Sequence, residues 1–448
     1  MILCLTFNRN SKVINAMINA MINKVINKIF YSSKVESSGS NNGLYSIKNY
    51  GDSYISPETI CKKNTVEQLC EKAENYFQNI TDPTPFISRP FANFSKSPES
   101  LVALGLLLSG LHLGKTMKIL EFGAGVCWLS RLLNQMGVST ISVDCSKSAI
   151  KTGKKLFENY PIIGQYITPP QFSVYDGHRL DIQDNHVDRI VCFDSFHHVP
   201  NIEEILREFH RVLKEGGIIG FAEPGLCHSF SPQSQTEMKN YGVLERDIRL
   251  DEIKTLAEDI GFTKLSIKMS GNPEISYDEY RSIVNNGSIS GRIQNYLTRE
   301  NRNRTVFFLR KGALQLDSRN GHGLMCDLKF VGKTIKIILV EAGQPIKLKL
   351  RVKNSGSAKW LHSNVQELGV VKIGGHLLDK KLKMIDNDFF RMELGRDISP
   401  SETFDSDVAF NAPSKKGKYI ICIDMVSEHI CWFENCGSQP IFFEIQVS

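Results

Sequence analysis

The sequence predicts an α/β chain built on a doubly wound sheet with helices on both faces, followed by an all-β sandwich. Three observations predict this. Apolar runs of strand length alternate with helical periodicity from residue 118 to residue 222. After about residue 319 the helical periodicity stops, and short alternating segments broken by Gly and Asn turns take over. At the start of the first regime, the stretch Ile119-Leu-Glu-Phe-Gly-Ala-Gly-Val-Cys-Trp-Leu-Ser130 joins a buried strand to a helix through two glycines. That turn exposes backbone N–H groups at a helix N-terminus, a geometry suited to a nucleotide-like ligand.

In chain order, the apolar pairs from Val13-Ile14 to Ile29-Phe30 recur every four residues with Asn15, Asn19, Asn23 and Asn27 between them. This predicts an amphipathic helix whose stripe drifts around the axis. With Lys12, Lys24 and Lys28, residues 12–30 suit weak contact with an anionic membrane or a partner. The plainer reading is an upstream extension, too polar for a secretory signal and too poor in Arg for a transit peptide. Residues 35–56 are linker-like, so residues 1–56 form one extension. Helices are expected at 65–79, where Val66, Leu69, Cys70, Ala73, Tyr76 and Phe77 share a face, and at 97–112, started by Ser97 with Pro98 at its first position. The alternating region then predicts strands at 118–122, 140–143, 171–175, 189–193 and 217–222 and helices at 126–136, 146–159 and 202–213. An irregular stretch (224–248) precedes a helix at 251–260, a strand at 263–269, a polar helical excursion (271–303) and a closing strand at 305–311. This bounds the α/β domain at 57–312. In the domain at 320–448, strands are expected at 334–340, 346–353, 369–373, 403–410, 419–426 and 441–447. Turns at Asn354-Ser-Gly356, Ile373-Gly-Gly375 and Lys415-Lys-Gly417 separate them, the pattern of an immunoglobulin-like sandwich. Trp360 and Trp432 are its candidate core or rim aromatics.

Charge placement narrows the function classes. Residues 1–50 hold six Lys/Arg and one Glu, +5 of the +6 total, which leaves +1 on the main body. A near-neutral body argues against a nucleic-acid groove. No apolar run is long enough to span a bilayer, so no transmembrane segment is expected. The eleven cysteines show no Cys-x-x-Cys spacing, which points to reduced thiols and a cytoplasmic setting. Metal-ligand spacing is also lacking, and adjacent His197-His198 is a poor clamp by itself, so no metal is expected.

Two nucleotide folds use a strand–glycine–helix turn. A dinucleotide site needs a third glycine at position 128 for close helix packing, and that position is Trp128. Glu121-Phe-Gly123-Ala-Gly125 instead resembles the acidic-x-Gly-x-Gly motif of class I S-adenosylmethionine-dependent methyltransferases. Asp144, at the tip of the next strand and 23 residues after Glu121, is placed to accept from ribose hydroxyls. Tyr175-Asp176-Gly177 follows the third strand, Phe193-Asp-Ser-Phe-His-His-Val-Pro200 the fourth, and Leu213-Lys-Glu-Gly-Gly217 precedes the fifth. The resemblance, which spans about residues 95–310, implies a Rossmann-like methyltransferase sheet with S-adenosyl-L-methionine as cofactor. It implies cofactor contacts from Glu121, Gly123, Ala124, Gly125, Asp144, Cys145, Asp176, Gly177 and Asp194, with the helices before the first strand as a lid. On a smaller set, Asp424-Met-Val, Trp432-Phe and Gly437-Ser, the sandwich resembles Ig-like domains appended to bacterial methyltransferases and glycosyltransferases.

The sulfonium methyl of this cofactor is already activated, so the protein's part is placement of the acceptor and removal of its proton. Asp194, His197, His198 or Glu223 is expected to reach the acceptor, with His197 or His198 as base. The polar stretch His228-Ser-Phe-Ser-Pro-Gln-Ser-Gln235 lies on the substrate side. The expected acceptor is a small molecule or a saccharide, through a hydroxyl. The alternatives are a cofactor-retaining binding or scaffold protein, and a nicotinamide-dependent reductase, which Trp128 disfavours.

Overall fold

The computed structural model describes residues 53–161 and 168–448. The amphipathic repeat and most of the linker expected at 1–56 lie outside the described residues. In the first part of the chain the elements are α1 (Pro57–Lys63), α2 (Val66–Gln78), α3 (Ser97–Leu111), β1 (Lys118–Phe122), α4 (Trp128–Gln135), β2 (Ser139–Asp144), α5 (Lys147–Asn159), β3 (Gln171–Val174), β4 (Val187–Phe193) and α6 (Ile202–Val212). Next come β5 (Leu213–Pro224), α7 (Pro232–Tyr241), α8 (Leu250–Ile260), β6 (Phe262–Lys268), α9 (Tyr277–Asn286), α10 (Gly291–Asn303) and β7 (Arg304–Lys311).

The seven strands form one sheet in the order β3-β2-β1-β4-β5-β7-β6. β7 runs antiparallel to both its neighbours, and the other pairings are parallel. Strand order reverses between β1 and β4, which opens a crevice beyond their C-terminal ends, the usual ligand position in an open α/β sheet. β4 is buried at every position, as a strand covered on both faces must be. On one face α6 buries Ile202, Ile205, Leu206, Phe209 and Val212, a 3–4 spacing, with acidic residues in its first turn and basic ones in its last. On the other, Leu107 and Leu111 of α3 come so close to β5 that a Cβ on Gly220 would lie 2.7 and 2.9 Å from them.

Two local expectations differ from the structure. Ser97 is not the cap of α3; Lys96 occupies that position, and the Ser97 hydroxyl donates to Asn93 O. The stretch expected to be irregular contains α7, which the polar sequence hides because it carries no apolar stripe. Its termini are regular: Ser231 Oγ accepts from Ser234 N, Pro232 opens the helix, and Gly242 ends it at φ +67°.

The remaining strands are β8 (Cys326–Phe330), β9 (Ile337–Val340), β10 (Pro345–Asn354), β11 (Val371–Leu378), β12 (Met384–Glu393), β13 (Thr403–Asn411), β14 (Gly417–Ser427) and β15 (Ile441–Val447). One sheet has the order β9-β15-β14-β11-β12, with Cys431–Trp432 paired on β14; the other has the order β13-β10-β8. β10 alternates buried and exposed along its whole length. The two sheets share one core around Trp360, which is fully buried and packs edge-on to Phe433 at 5.3 Å; Trp432 is half-buried. The turn expected at Ile373-Gly-Gly375 is instead the middle of β11. Glycine there answers a packing need: added Cβ atoms would lie 2.7 Å from the Trp432 ring and 2.0 Å from the Phe390 ring.

The β region is joined to the α/β region through Arg319. Its guanidinium pairs with Asp317 at 2.8 Å and with Asp188 at 3.4 Å, and its carbonyl accepts from Lys115 N. Among the described residues, no helix is long and apolar enough to cross a membrane.

Candidate active site

The turn after β1 is held open by left-handed glycines, Gly123 at φ +67° and Gly125 at φ +51°. Gly125 N donates to Asp144 Oδ2 at 2.8 Å, and Ser146 N donates to Asp144 Oδ1 at 2.8 Å. Asp144 therefore ties the tips of β1 and β2 together while two lone pairs remain on its oxygens. Burial raises its carboxyl, and the two backbone donors oppose that rise. Ala124 is buried and donates its N–H to Val143 O.

Glu121, one of the implied cofactor contacts, is turned into the protein. It is 3% exposed, and its Oε2 accepts from the Ser130 amide at 2.8 Å and from the Ser130 hydroxyl. Burial pushes it up to about 8, against the two Ser130 bonds. In this arrangement it braces the start of α4 from beneath. Trp128 is buried on the same helix, edge-on to Phe193 at 5.3 Å, where a third glycine would sit in a dinucleotide site.

Helix α2 lies over this turn, as the lid expectation implied. Phe77 is the nearest side chain to a Cβ built on Gly125, at 3.6 Å. Glu74 binds the N-terminus of α5: Oε2 accepts from Ser146 Oγ at 2.6 Å and Ser148 N at 3.0 Å, and Oε1 from Ser148 Oγ at 2.7 Å. Gly177, at φ +96°, sits under Val66 and Cys70 of the same helix. Asp176 is exposed and holds its own turn, accepting from His178 N and Arg179 N at 2.9 Å. Cys145 is half-buried and stands against Cys70, which with burial raises its thiol well above the usual range.

Beyond β4, three imidazoles and three carboxylates meet. Glu223, at the end of β5 and fully buried, accepts from Ser195 N, Phe196 N and His197 N at 3.0–3.3 Å and from His197 Nδ1 at 2.7 Å. It thus shapes the post-β4 turn and fixes the His197 tautomer, leaving Nε2 as an acceptor. His197 is 4% exposed, and burial lowers its pKa. Its Nε2 faces Glu245 Oε2 at 3.7 Å. His198 donates from Nδ1 to Leu244 O at 2.6 Å, and its side chain is 42% exposed. Asp194, at φ +50°, pairs with Arg304 Nη1 at 2.9 Å, an ion pair that lowers its pKa against the effect of burial. That pairing engages one oxygen of Asp194, the residue expected to contact cofactor or acceptor.

Sequence reasoning missed Glu245, Glu74 and Arg304. Glu245 comes from the loop after α7, which runs beside the post-β4 turn: Arg246 N donates to His197 O at 3.3 Å. There Glu245 Oε2 accepts from His228 Nε2 at 2.7 Å. His228 was legible only as part of a polar stretch.

Residues 120–221, from β1 to β5, match the family model described as a methyltransferase domain. Over 146 residues the chain is 26% identical to an uncharacterized methyltransferase of Oceanobacillus iheyensis, covering 32% of this chain and 59% of that one. Over 153 residues it is 24% identical to the methyltransferase GfsG of Streptomyces halstedii, 30% of this chain and 52% of that one. Over 183 residues it is 26% identical to the ubiquinone/menaquinone biosynthesis C-methyltransferase UbiE of Ectopseudomonas mendocina, 36% of this chain and 69% of that one. The chain thus spans a little over half the length of the first two relatives. Among solved structures, the YcgJ protein from Bacillus subtilis is similar at a TM-score of 0.35 and 16% identity, over 47% of this chain and 99% of that one.

Proposed function

We propose that this protein transfers a methyl group from S-adenosyl-L-methionine to a hydroxyl of a small molecule or saccharide in the cytoplasm. The observation that carries the proposal is the open turn of Gly123 and Gly125 clasped to Asp144. A side chain at Gly123 would collide with Ser195 of the turn after β4, and Asp144 keeps acceptor capacity beyond its bonds to Gly125 N and Ser146 N. The residues suit this cofactor: Asp144 for the ribose, Tyr175, Asp176 and Gly177 for the adenine edge, and the Gly123–Gly125 backbone and Cys145 around the remainder. When bound, the cofactor supplies a methyl group already activated on a sulfonium. The chain's own groups place the acceptor and take its proton. His198 suits the proton transfer, because its Nδ1–H is committed to Leu244 O and its Nε2 is the acceptor on an exposed ring.

We assign residues 57–312 to the methyltransferase unit and residues 320–448 to an immunoglobulin-like domain. The UbiE relatives favour a second reading, a carbon acceptor, in which the same imidazole removes a proton from an activated C–H.

Calorimetry with S-adenosylhomocysteine against NADH tests the cofactor. Binding of the first and not the second is expected, and the reverse result overturns the proposal. Transfer of labelled methyl groups to hydroxylated glycans or to quinol rings then separates oxygen from carbon acceptors.

A further inference from the structure

Beside the crevice, three side chains converge that the methyl transfer outlined above does not use. Glu245 is 3% exposed, and its Oε2 lies 2.7 Å from His228 Nε2 and 3.7 Å from His197 Nε2. All three ligand atoms fall within 4.8 Å of one another. Two ligand atoms sharing a metal at 2.0–2.1 Å in a tetrahedral arrangement sit about 3.3 Å apart, so small shifts would bring all three to one ion.

Three further observations point to an ion. Glu245 Oε1 is buried with no hydrogen-bond partner; His198 Nδ1, 3.4 Å away, is already committed to Leu244 O. An orphaned carboxylate oxygen in a buried cluster lacks compensation that a cation would supply. His197 carries the outer support typical of a metal-binding imidazole: its Nδ1 is fixed by the Glu223 carboxylate, which aims Nε2 at Glu245. Ser234 Oγ lies 3.3 Å from both His228 Nε2 and Glu245 Oε2, a further polar group at the cluster.

We propose that His197, His228 and Glu245 form a binding site for one divalent first-row transition-metal ion. Two imidazoles and one carboxylate make a three-ligand set that leaves coordination positions open, the pattern of catalytic Zn2+ and non-haem Fe2+ sites. The sequence hides it because the ligands stand at 197, 228 and 245, spacings too wide for a local motif, and only the return of the loop after α7 joins them. An ion there would hold an acceptor oxygen and make its proton easier to remove. That role rests on the methyltransferase reading; the binding site does not.

The test uses the full chain, stripped with a chelator and titrated with Co2+ as the probe, followed by visible absorption and by calorimetry. Wild type is expected to bind one equivalent with a ligand-field band, and Zn2+ is expected to displace it. His228→Ala, at a position whose side chain is 22% exposed, is expected to lose the band. Glu223→Gln, which touches no metal, is expected to weaken Co2+ binding 10- to 100-fold through the lost support of His197. His322→Ala, far from the cluster, is expected to leave the titration unchanged. Absence of stoichiometric binding to wild type, or a full band in His228→Ala with native circular dichroism, overturns the proposal. S-adenosylhomocysteine calorimetry on the same stripped protein reads the cofactor site separately, so a failure of one proposal is distinguishable from a failure of the other.

Discussion

Gly123→Ala is the smallest change that should dismantle the cofactor turn. At φ +67° an L side chain already costs about 1–2 kcal/mol. The added methyl would stand 2.4 Å from Ser195 Cβ and 2.9 Å from Ser195 Oγ. Ser195 cannot step aside freely: its N–H donates to both oxygens of Glu223 at 3.1 Å, and its hydroxyl donates to Phe122 O at 2.9 Å. Forcing a methyl into such a packed place costs typically 1–3 kcal/mol. The sum, about 2–5 kcal/mol, corresponds to a Tm lower by about 4–20 °C in a domain of this size. If the chain relieves the strain by moving the turn, the loss appears as weaker S-adenosylhomocysteine binding. Differential scanning calorimetry with and without that ligand reads both. Gly105→Ala is the matched control, since its Cβ meets nothing within 4 Å inside α3, and it should stabilise by about 0.5–1 kcal/mol. Wild-type Tm together with wild-type affinity in Gly123→Ala would refute the reasoning.

Three more perturbations follow from the geometry. Glu74→Ala removes the bonds from the α2 carboxylate to Ser146 and Ser148; S-adenosylhomocysteine Kd should rise several-fold while the Tm shifts by only a few degrees, as calorimetry would show. Arg319→Ala takes the guanidinium from Asp317 and from Asp188, which keeps only Lys214 as its side-chain partner, and should lower stability by about 1–3 kcal/mol in urea melts. Burial pushes Asp424 up to about 6, above its unfolded value of 3.8, so the folded chain holds that proton more tightly. The resulting stability is complete below about pH 4 and is lost as pH rises through about 6, an effect of roughly 3 kcal/mol. Asp424→Asn should flatten stability across that window, and an unchanged pH slope in denaturant melts would count against it.

The β1 turn and Asp144 were legible because each is a local event: a strand buried on both faces, two glycines at positive φ, and a carboxylate at the next strand tip. The parallel part of the sheet was legible for the same reason, since short apolar segments such as Ile190-Val-Cys-Phe193 alternate with helical periodicity. What escaped depends on distant partners. Glu121 has the family position, yet Ser130, nine residues on, turns it inward. Asp194 looked free until Arg304, from the far side of the α10 excursion, closed on it. Glu245 and His228 lie in a stretch without periodicity, and their meeting is decided by how α7 returns the chain. In the sandwich, β12 (Met-Ile-Asp-Asn-Asp-Phe-Phe-Arg-Met-Glu) was missed because most of it is solvent-facing and polar, and β11 was cut short because its glycines read as a turn.

The order β5-β7-β6 also sets a sequence of events during synthesis. β6 has β7 as its only strand neighbour in the sheet, and about 35 residues separate the end of one from the start of the other. At ribosomal rates of roughly 5–20 residues per second, β6 waits about 2–7 s with a bare edge before its neighbour emerges. During that interval its exposed Ile267 belongs to an unfinished ribbon, the kind of edge that pairs with other chains. A nascent chain stalled before residue 304 is therefore expected to be the form most prone to aggregate. The strand that repairs it is also the one that leads directly into the β domain.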